Sequence, residues 1–410
     1  MEGCCLLAAS PVVSPEIDRT KVYISNEQRL FLLVLSFSRH WKQLNLTLPF
    51  SIYQKLESHM SRNTLPILQI FRAVAHMDST TASSSPIRPP ITFMEAPNLQ
   101  WLYLNVSPWL SDKIAMFPST VWNQLTDVCF IYPISDVGFY NLIQHCCSLI
   151  TCEVQIERPW DYDQGPCCPQ TDMISPIKVF ELYDGVAPVD IFQLIYFPSL
   201  VSMHYRCPPC YQELIPVQPQ SLTSPRSLFT IIENASLTIR KLNINPRSPR
   251  PLTCLRIASE IIHLSFDITP SFHVQAEEDI FAPNYLDFNI FTISMEYEDI
   301  LVLKLEVLEM YGIQELTDKV LLHVLISRID ATQRGDVSPL RHVKMQFSRQ
   351  RQKDIREAIL EQGKSAGFEM ELELHYAPDS LPYEGHLSPS FSLPSTNFDS
   401  LPIIWPPDWE

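Results

Sequence analysis

Glycine is scarce in this chain: nine residues in 410, about 2%, against roughly 7% in ordinary proteins. Phosphate-cradling loops and nucleophile elbows depend on glycine for positive φ and close backbone approach. None of G-x-G-x-x-G, G-x-x-x-x-G-K-[ST] or G-x-S-x-G occurs, which argues against dinucleotide, P-loop and α/β-hydrolase chemistry. Long apolar runs are missing too. None exceeds Leu30 to Leu35, far short of the ~20 residues that cross a bilayer. Basic charge is in deficit, with 30 Lys and Arg against 46 Asp and Glu for a net charge of −16. Nucleic acid and anionic membrane each call for a dominant basic surface, so neither is expected as a partner. The locally basic stretches Arg240 to Arg256 and Arg341 to Arg356 read as solvated loop and helix faces. The eleven cysteines are odd in number, and the N-terminus has neither a basic n-region nor an adequate apolar core for a signal peptide. Reduced thiols in an intracellular protein, cytoplasmic or nuclear, are the expectation.

What is present is a repeat. Ala96-Pro97-Asn98-Leu99-Gln100-Trp101-Leu102-Tyr103-Leu104 returns as Phe197-Pro198-Ser199-Leu200-Val201-Ser202-Met203-His204-Tyr205. A recurring L-x-x-L-x-L strand marks a leucine-rich repeat. Aligned on the second leucine, the ladder runs through Leu44, Leu68, Leu102, Val128, Cys152, Phe180, Met203, Leu242, Leu264, Leu308 and Val343. Several spacings fall at 22 to 28 residues, and the long ones, 34, 39, 44 and 35, read as repeats carrying insertions. The expected fold is α/β: an irregular leucine-rich-repeat solenoid over 38–376, with parallel strands on a concave face and helices on the convex face. The asparagine or cysteine usual three residues past L-x-L is replaced by Ser107, Pro133 and Gly185, so distorted strands are expected.

Asp78 to Pro90, Arg158 to Pro176 and Cys207 to Arg226 have the composition of loops. Helical spacing appears over Ile52 to Met60, Asp136 to Cys147, Val189 to Phe197 and Arg226 to Asn234. Residues 1–37 read as an N-terminal segment whose Asn26 to Phe37 forms a short capping helix. At the other end, a helix over Gln350 to Gln362, with Ile355, Ile359 and Leu360 inward, precedes a last strand, Phe368 to Leu374. Residues 377–410 form a Ser/Pro-rich acidic segment without Lys or Arg, expected to be disordered.

Several stretches resemble the substrate-recognition halves of fungal F-box/leucine-rich-repeat families. Ser38-Arg39-His40-Trp41-Lys42-Gln43-Leu44-Asn45-Leu46-Thr47-Leu48-Pro49 looks like the segment that follows the F-box, with Asn63 to Ile70 next in order. His145-Cys146-Cys147-Ser148-Leu149 looks like the usual helix-to-strand junction, with Cys147 in place of proline. Leu303 to Met310 and Leu340 to Phe347 resemble the last two repeats. The resemblance implies a substrate-selecting role in a ubiquitin ligase, in which the F-box itself docks on a Skp1-type adaptor. Nothing before Ser38 has the Leu-Pro-x-Glu opening of an F-box. The expectation is therefore a chain that has lost its F-box or whose start is missing.

No catalytic, cofactor or metal constellation stands out. Cys207-Pro208-Pro209-Cys210, with Cys167-Cys168, has the spacing of half a zinc site or a redox pair. Adjacent cysteines are a poor tetrahedral donor set, so a proline-rich loop is the reading, ahead of a zinc- or thiol-dependent enzyme. Glu277-Glu278-Asp279 reads as a solvated loop and His145 as a helix-capping residue. The functional candidate is a surface, because strand alternation buries positions 4 and 6 of each repeat and turns 3, 5 and 7 to the other face. That face is expected to carry Phe71, Trp101, Tyr103, Asp127, Glu153, Glu157, Glu181 and Tyr183, then His204, Arg206, Lys241 and His263. The result would be a bipolar groove, acidic-aromatic and then basic, binding a protein substrate or ligand. A non-catalytic recognition module follows, with a stand-alone scaffold as the alternative.

Overall fold

In the computed structural model the residues described are 36–49, 52, 56, 65–76, 91–106, 122–156, 171–184, 190–206, 226–235, 237–244, 251–267, 291–293, 301–314 and 316–378. They form an α/β protein. Its strands, in chain order, are β1 (Gln43–Pro49), β2 (Ile70–His76), β3 (Trp101–Val106), β4 (Asp127–Ile134), β5 (Thr151–Ile156), β6 (Met173–Ile174) and β7 (Val179–Asp184). They continue as β8 (Ile195–Tyr196), β9 (Ser202–Arg206), β10 (Lys241–Ile244), β11 (His263–Asp267), β12 (Val307–Ile313), β13 (His342–Phe347) and β14 (Glu371–His375). The helices are α1 (Ile91–Met94), α2 (Asp136–His145), α3 (Arg226–Ala235), α4 (Pro251–Ile257), α5 (Asp318–Arg334) and α6 (Arg356–Ser365). All strands but β6 and β8 make one 12-stranded sheet in strict chain order, and the short β6 and β8 pair with each other. Every pairing is parallel.

Parallel neighbours need a crossover, and several of these end in the same turn just before the next strand. In Ala96-Pro97-Asn98-Leu99 the Leu99 N–H donates to the Ala96 carbonyl, and Leu200 to Phe197 and Leu149 to Cys146 repeat the bond. Proline suits the second position of such a turn because its φ is preset. The chain then enters the sheet by a shared acceptor. The Gln69 and Ile70 N–H groups both donate to the Lys42 carbonyl, Gln100 and Trp101 to Gln69, Thr126 and Asp127 to Gln100, and so on to Arg341 and His342 on Glu306. A carbonyl has two lone pairs, so one acceptor satisfies two donors. This backbone ladder lies at the strand entrances, at the other end of the strands from the missing asparagines.

One side of the sheet is a continuous core. Leu44, Phe71, Leu102, Val128, Cys152, Phe180, Met203, Leu242, Leu264, Leu308, Val343 and Leu372 are all buried, in one cluster with helix residues such as Phe139, Ile231 and Leu321. In β2 the structure corrects the expected frame. Phe71, not Leu68, pairs with Leu44 and Leu102, so the repeat reads Leu68-x-x-Phe71-x-Ala73. Leu65-x-x-Leu68-x-Ile70 imitates the motif, but Leu65-Pro66-Ile67-Leu68 is the entry turn, with Pro66 in the place of Pro97. Bulges interrupt β4 after Phe130, where Pro133 lacks an N–H, and β12 between Tyr311 and Ile313, where Gly312 has φ 74°.

The helices depart from expectation at several points. Val189 to Phe197 holds only a 3₁₀ turn, Asp190–Gln193, before β8, since Pro198 steers its predecessor away from the α region. Leu360 is exposed rather than inward. The helix α5 fills what reads in sequence as an insertion. It is capped by the Thr317 hydroxyl, which accepts from Val320 N–H, and closed by Gly335 at φ 81°. Its first residue, Asp318, is fully buried and delays α6 to Arg356 by accepting the Gln352 and Lys353 N–H groups at 2.8 and 2.7 Å. Asp318 also accepts from Arg349 Nη2 at 2.6 Å and from the Tyr376 hydroxyl at 3.1 Å. That guanidinium lies 4.5 Å over Phe347, which stacks on Tyr376 at 4.7 Å. Ile52 to Met60 apart from Ile52 and Leu56, the capping helix apart from Ser36 and Phe37, and the tail beyond Pro378 lie outside the described residues.

Two outcomes follow. Phe71→Ala, which opens the stack with Phe93 (centroids 4.8 Å apart), is expected to cost about 3–5 kcal/mol in urea unfolding. Ile70→Ala on the opposite face is expected to cost about 1 kcal/mol; the reverse ranking would restore the Leu68 frame. Burial pushes the Asp318 carboxyl up, but the bonds from Arg349, Lys353 and Gln352 outweigh it and hold the carboxyl below the usual carboxylate range. Its contribution is therefore present above the unfolded pKa of roughly 3.9 and is lost as pH falls through the lowered value. Asp318→Asn is expected to remove about 3 kcal/mol at neutral pH and to flatten the acid limb of a stability–pH curve.

Candidate functional site

The face of the sheet opposite the core is built from the residues between the buried ones. Its central row crosses all twelve strands in register: Asn45, Arg72, Tyr103, Cys129, Glu153, Glu181, His204, Asn243, Ser265, Glu309, Lys344 and Glu373. A second row, one pleat earlier, includes Trp101, Asp127, Lys241, His263, His342 and Glu371. Tyr183 pairs with Arg206 one pleat later. Ten of the twelve expected face residues thus lie together. Phe71 does not: it is fully buried on the core side, and the frame shift puts Arg72 in its place. Glu157 lies outside the described residues.

Neighbouring strands pair these side chains. Arg72 sits over the Tyr103 ring at 4.7 Å, and Tyr103 stacks on Trp101 with centroids 6.0 Å apart. At the centre the Cys129 thiol donates to Glu153 Oε2 at 2.9 Å and the Tyr183 hydroxyl donates to Glu153 Oε1 at 3.5 Å. Arg206 lies 5.3 Å over Tyr183 and donates from Nε to His204 Nε2 at 2.8 Å. On its other side, His204 Nδ1 meets Glu181 Oε2 at 3.3 Å. Farther along, His263 Nε2 meets Glu309 Oε2 at 3.1 Å and Lys344 Nζ meets Glu373 Oε2 at 3.7 Å. Acid and base are therefore interleaved along the face, and the expected bipolar division does not hold.

These contacts set the protonation states. Burial pushes Glu153 above the usual carboxylate range, against the opposing bond from Cys129. Burial acts upward on Glu181 as well, but the bond and charge of His204, with Arg206 and Lys241, hold it below that range. The close approach of His263 is the main cause that lowers Glu309. Burial, reinforced by the Glu153 carboxylate, pushes the Cys129 thiol far up, and Tyr183 is raised by burial too. Cys129 beside Glu153 is thus a thiol held protonated rather than an activated nucleophile.

Arg72 and Cys129 could have been found in the sequence, the first from the Pro66 alignment and the second from its central slot in the Leu125 repeat. His145 is on the last turn of α2 with Nδ1 2.8 Å from the Asn141 carbonyl, and the C-cap position itself is Cys146. Cys207-x-x-Cys210, Cys167-Cys168 and Glu277-Glu278-Asp279 lie outside the described residues. No helix among the described residues is long and apolar enough to cross a membrane.

No protein-family model matches the chain, and a search of curated proteins finds no match.

Cys147 is exposed, whereas Cys129, Cys146, Cys152 and Cys254 are buried. Alkylation of the folded chain followed by peptide mapping is expected to modify Cys147 at least ~10-fold faster than those four. Cys129 reacting as fast as Cys147 would contradict its pairing with Glu153.

Proposed function

We propose that this chain is a non-catalytic protein-recognition module. In this reading the repeats form an irregular leucine-rich solenoid whose sheet face is concave and receives a segment of a protein partner. The observation that carries the proposal is the unbroken central row, in which one side chain from each strand of the 12-stranded sheet enters a single surface. The row is ordered in advance by its own contacts, which lowers the entropic cost of binding. Trp101 and Tyr103 supply the kind of half-buried aromatic that anchors protein interfaces, and Arg72 and Arg206 lie on aromatic faces, Arg206 beside Glu153 and Glu181. The favoured setting is the substrate-selecting part of an F-box-type ubiquitin ligase adaptor. That setting rests on the resemblance of Ser38 to Pro49 and of the last repeats, not on the face itself.

The test uses the full chain as bait in quantitative affinity capture, followed by binding of each captured protein to purified variants. Glu153→Lys combined with Glu181→Lys is expected to weaken the true partner at least ~30-fold, about 2 kcal/mol. Glu361→Lys, on the exposed side of α6, is expected to leave it unchanged. Every partner keeping its affinity in the double variant would sink the reading. Captured partners whose ubiquitination in cells falls when the chain is removed support the ligase setting, and partners whose ubiquitination is unchanged favour a stand-alone scaffold.

A further inference from the structure

The last two strands of the sheet bring together donors that no sequence spacing advertises. On β14, Glu371, Glu373 and His375 alternate along one face, and His342 on β13 pairs in register with Glu371. Adjacent same-face positions of a strand are about 7 Å apart and neighbouring strands about 4.8 Å, so side chains from such positions can converge on one point. Here they do. One ligand atom from each of His342, Glu371 and Glu373 lies within 4.8 Å of the other two. His342 Nδ1 is 3.0 Å from Glu371 Oε2, and His375 Nε2 is 3.5 Å from Glu373 Oε2.

The other histidine pairs of this face lack that convergence. His204 meets Glu181 beside Arg206, and His263 meets Glu309, each with one carboxylate in reach. Only at β13 and β14, among the described residues, do two carboxylates join an imidazole within such a radius. His342, Glu371 and Glu373 all reach solvent, with Glu371 at 67% exposure, so the ångström or so of movement needed to close on an ion is cheap.

We propose that His342, Glu371 and Glu373 form a binding site for a divalent transition-metal ion of the zinc class. One imidazole and two carboxylates, with water completing the shell, make an NO₂ donor set whose nitrogen suits zinc, copper or nickel rather than magnesium or calcium, which take oxygen ligands and more water. The ion takes the place of the direct contact between His342 and Glu371. It ties the edge strand β14 to β13 through side chains as well as backbone. Lys344, 3.7 Å from Glu373, is the competing cation, and it must swing away when the metal enters.

The competition supplies a test that misfolding cannot imitate. Isothermal titration of the full, reduced chain with Zn²⁺ is expected to show a site that Mg²⁺ does not fill. His342→Gln and Glu373→Gln should each weaken it at least ~10-fold, and Lys344→Gln should tighten it. Cys207→Ser with Cys210→Ser separates this site from the cysteine-rich loops and should leave it unchanged. No zinc binding, binding indifferent to His342 and Glu373, or binding abolished by the cysteine pair would each overturn the proposal.

Discussion

The structure depends first on the requirement that buried backbone groups find partners. A parallel sheet built one strand at a time meets that requirement at each strand entrance by giving one carbonyl two N–H donors. The acceptors run from Lys42 through Gln69, Gln100 and Thr126 to Glu306. The bond pair fixes both where a strand begins and which residue of the previous strand it faces. Register is then inherited from strand to strand. Because the side-chain period is two, a slip of one residue would exchange the leucine face for the polar one. The central row from Asn45 to Glu373 is continuous because the ladder beneath it is.

That inheritance explains how a degenerate repeat can work. The core position is filled by Leu44, Phe71, Val128, Cys152, Met203 or Leu264, residues with different shapes but one requirement, burial. Variation in size is taken up by the connections. Where Phe71 is large, Ala73 follows, and Phe93 stacks on its ring. Bulges at β4 and β12 absorb what the ladder does not, at Pro133 and near Gly312, without breaking the order of strands.

The polar face follows a second rule: a half-buried charge is held by a neighbour. Glu153, Glu181, Glu309 and Glu373 each meet a donor on an adjacent strand. At the C-terminal end, Asp318 does the same inside the core, gathering Arg349, Tyr376 and two backbone amides. This one carboxylate therefore decides both where α6 begins and how the aromatic pair Phe347 and Tyr376 seats on the last repeats.

The strand positions from Leu102 to Val343 were legible in the sequence, because alternation of apolar and polar residues is a local property that needs no knowledge of neighbours. Pro66 carried the correct frame of β2, though the stronger-looking leucine pattern hid it. The helix α5 also had its signals, Thr317 before it and Gly335 after it, inside a spacing that suggested an insertion. What local reading could not supply was who pairs with whom. That the His204 ring joins Glu181 to Arg206, that Cys129 reaches Glu153, and that His342 meets Glu371 are facts of register between strands distant in sequence. The sequence alone determined which residues share a face; only the tertiary structure decided which of them touch, because contact across a parallel sheet is set by the backbone register between neighbouring strands, which crossovers of varying length leave open.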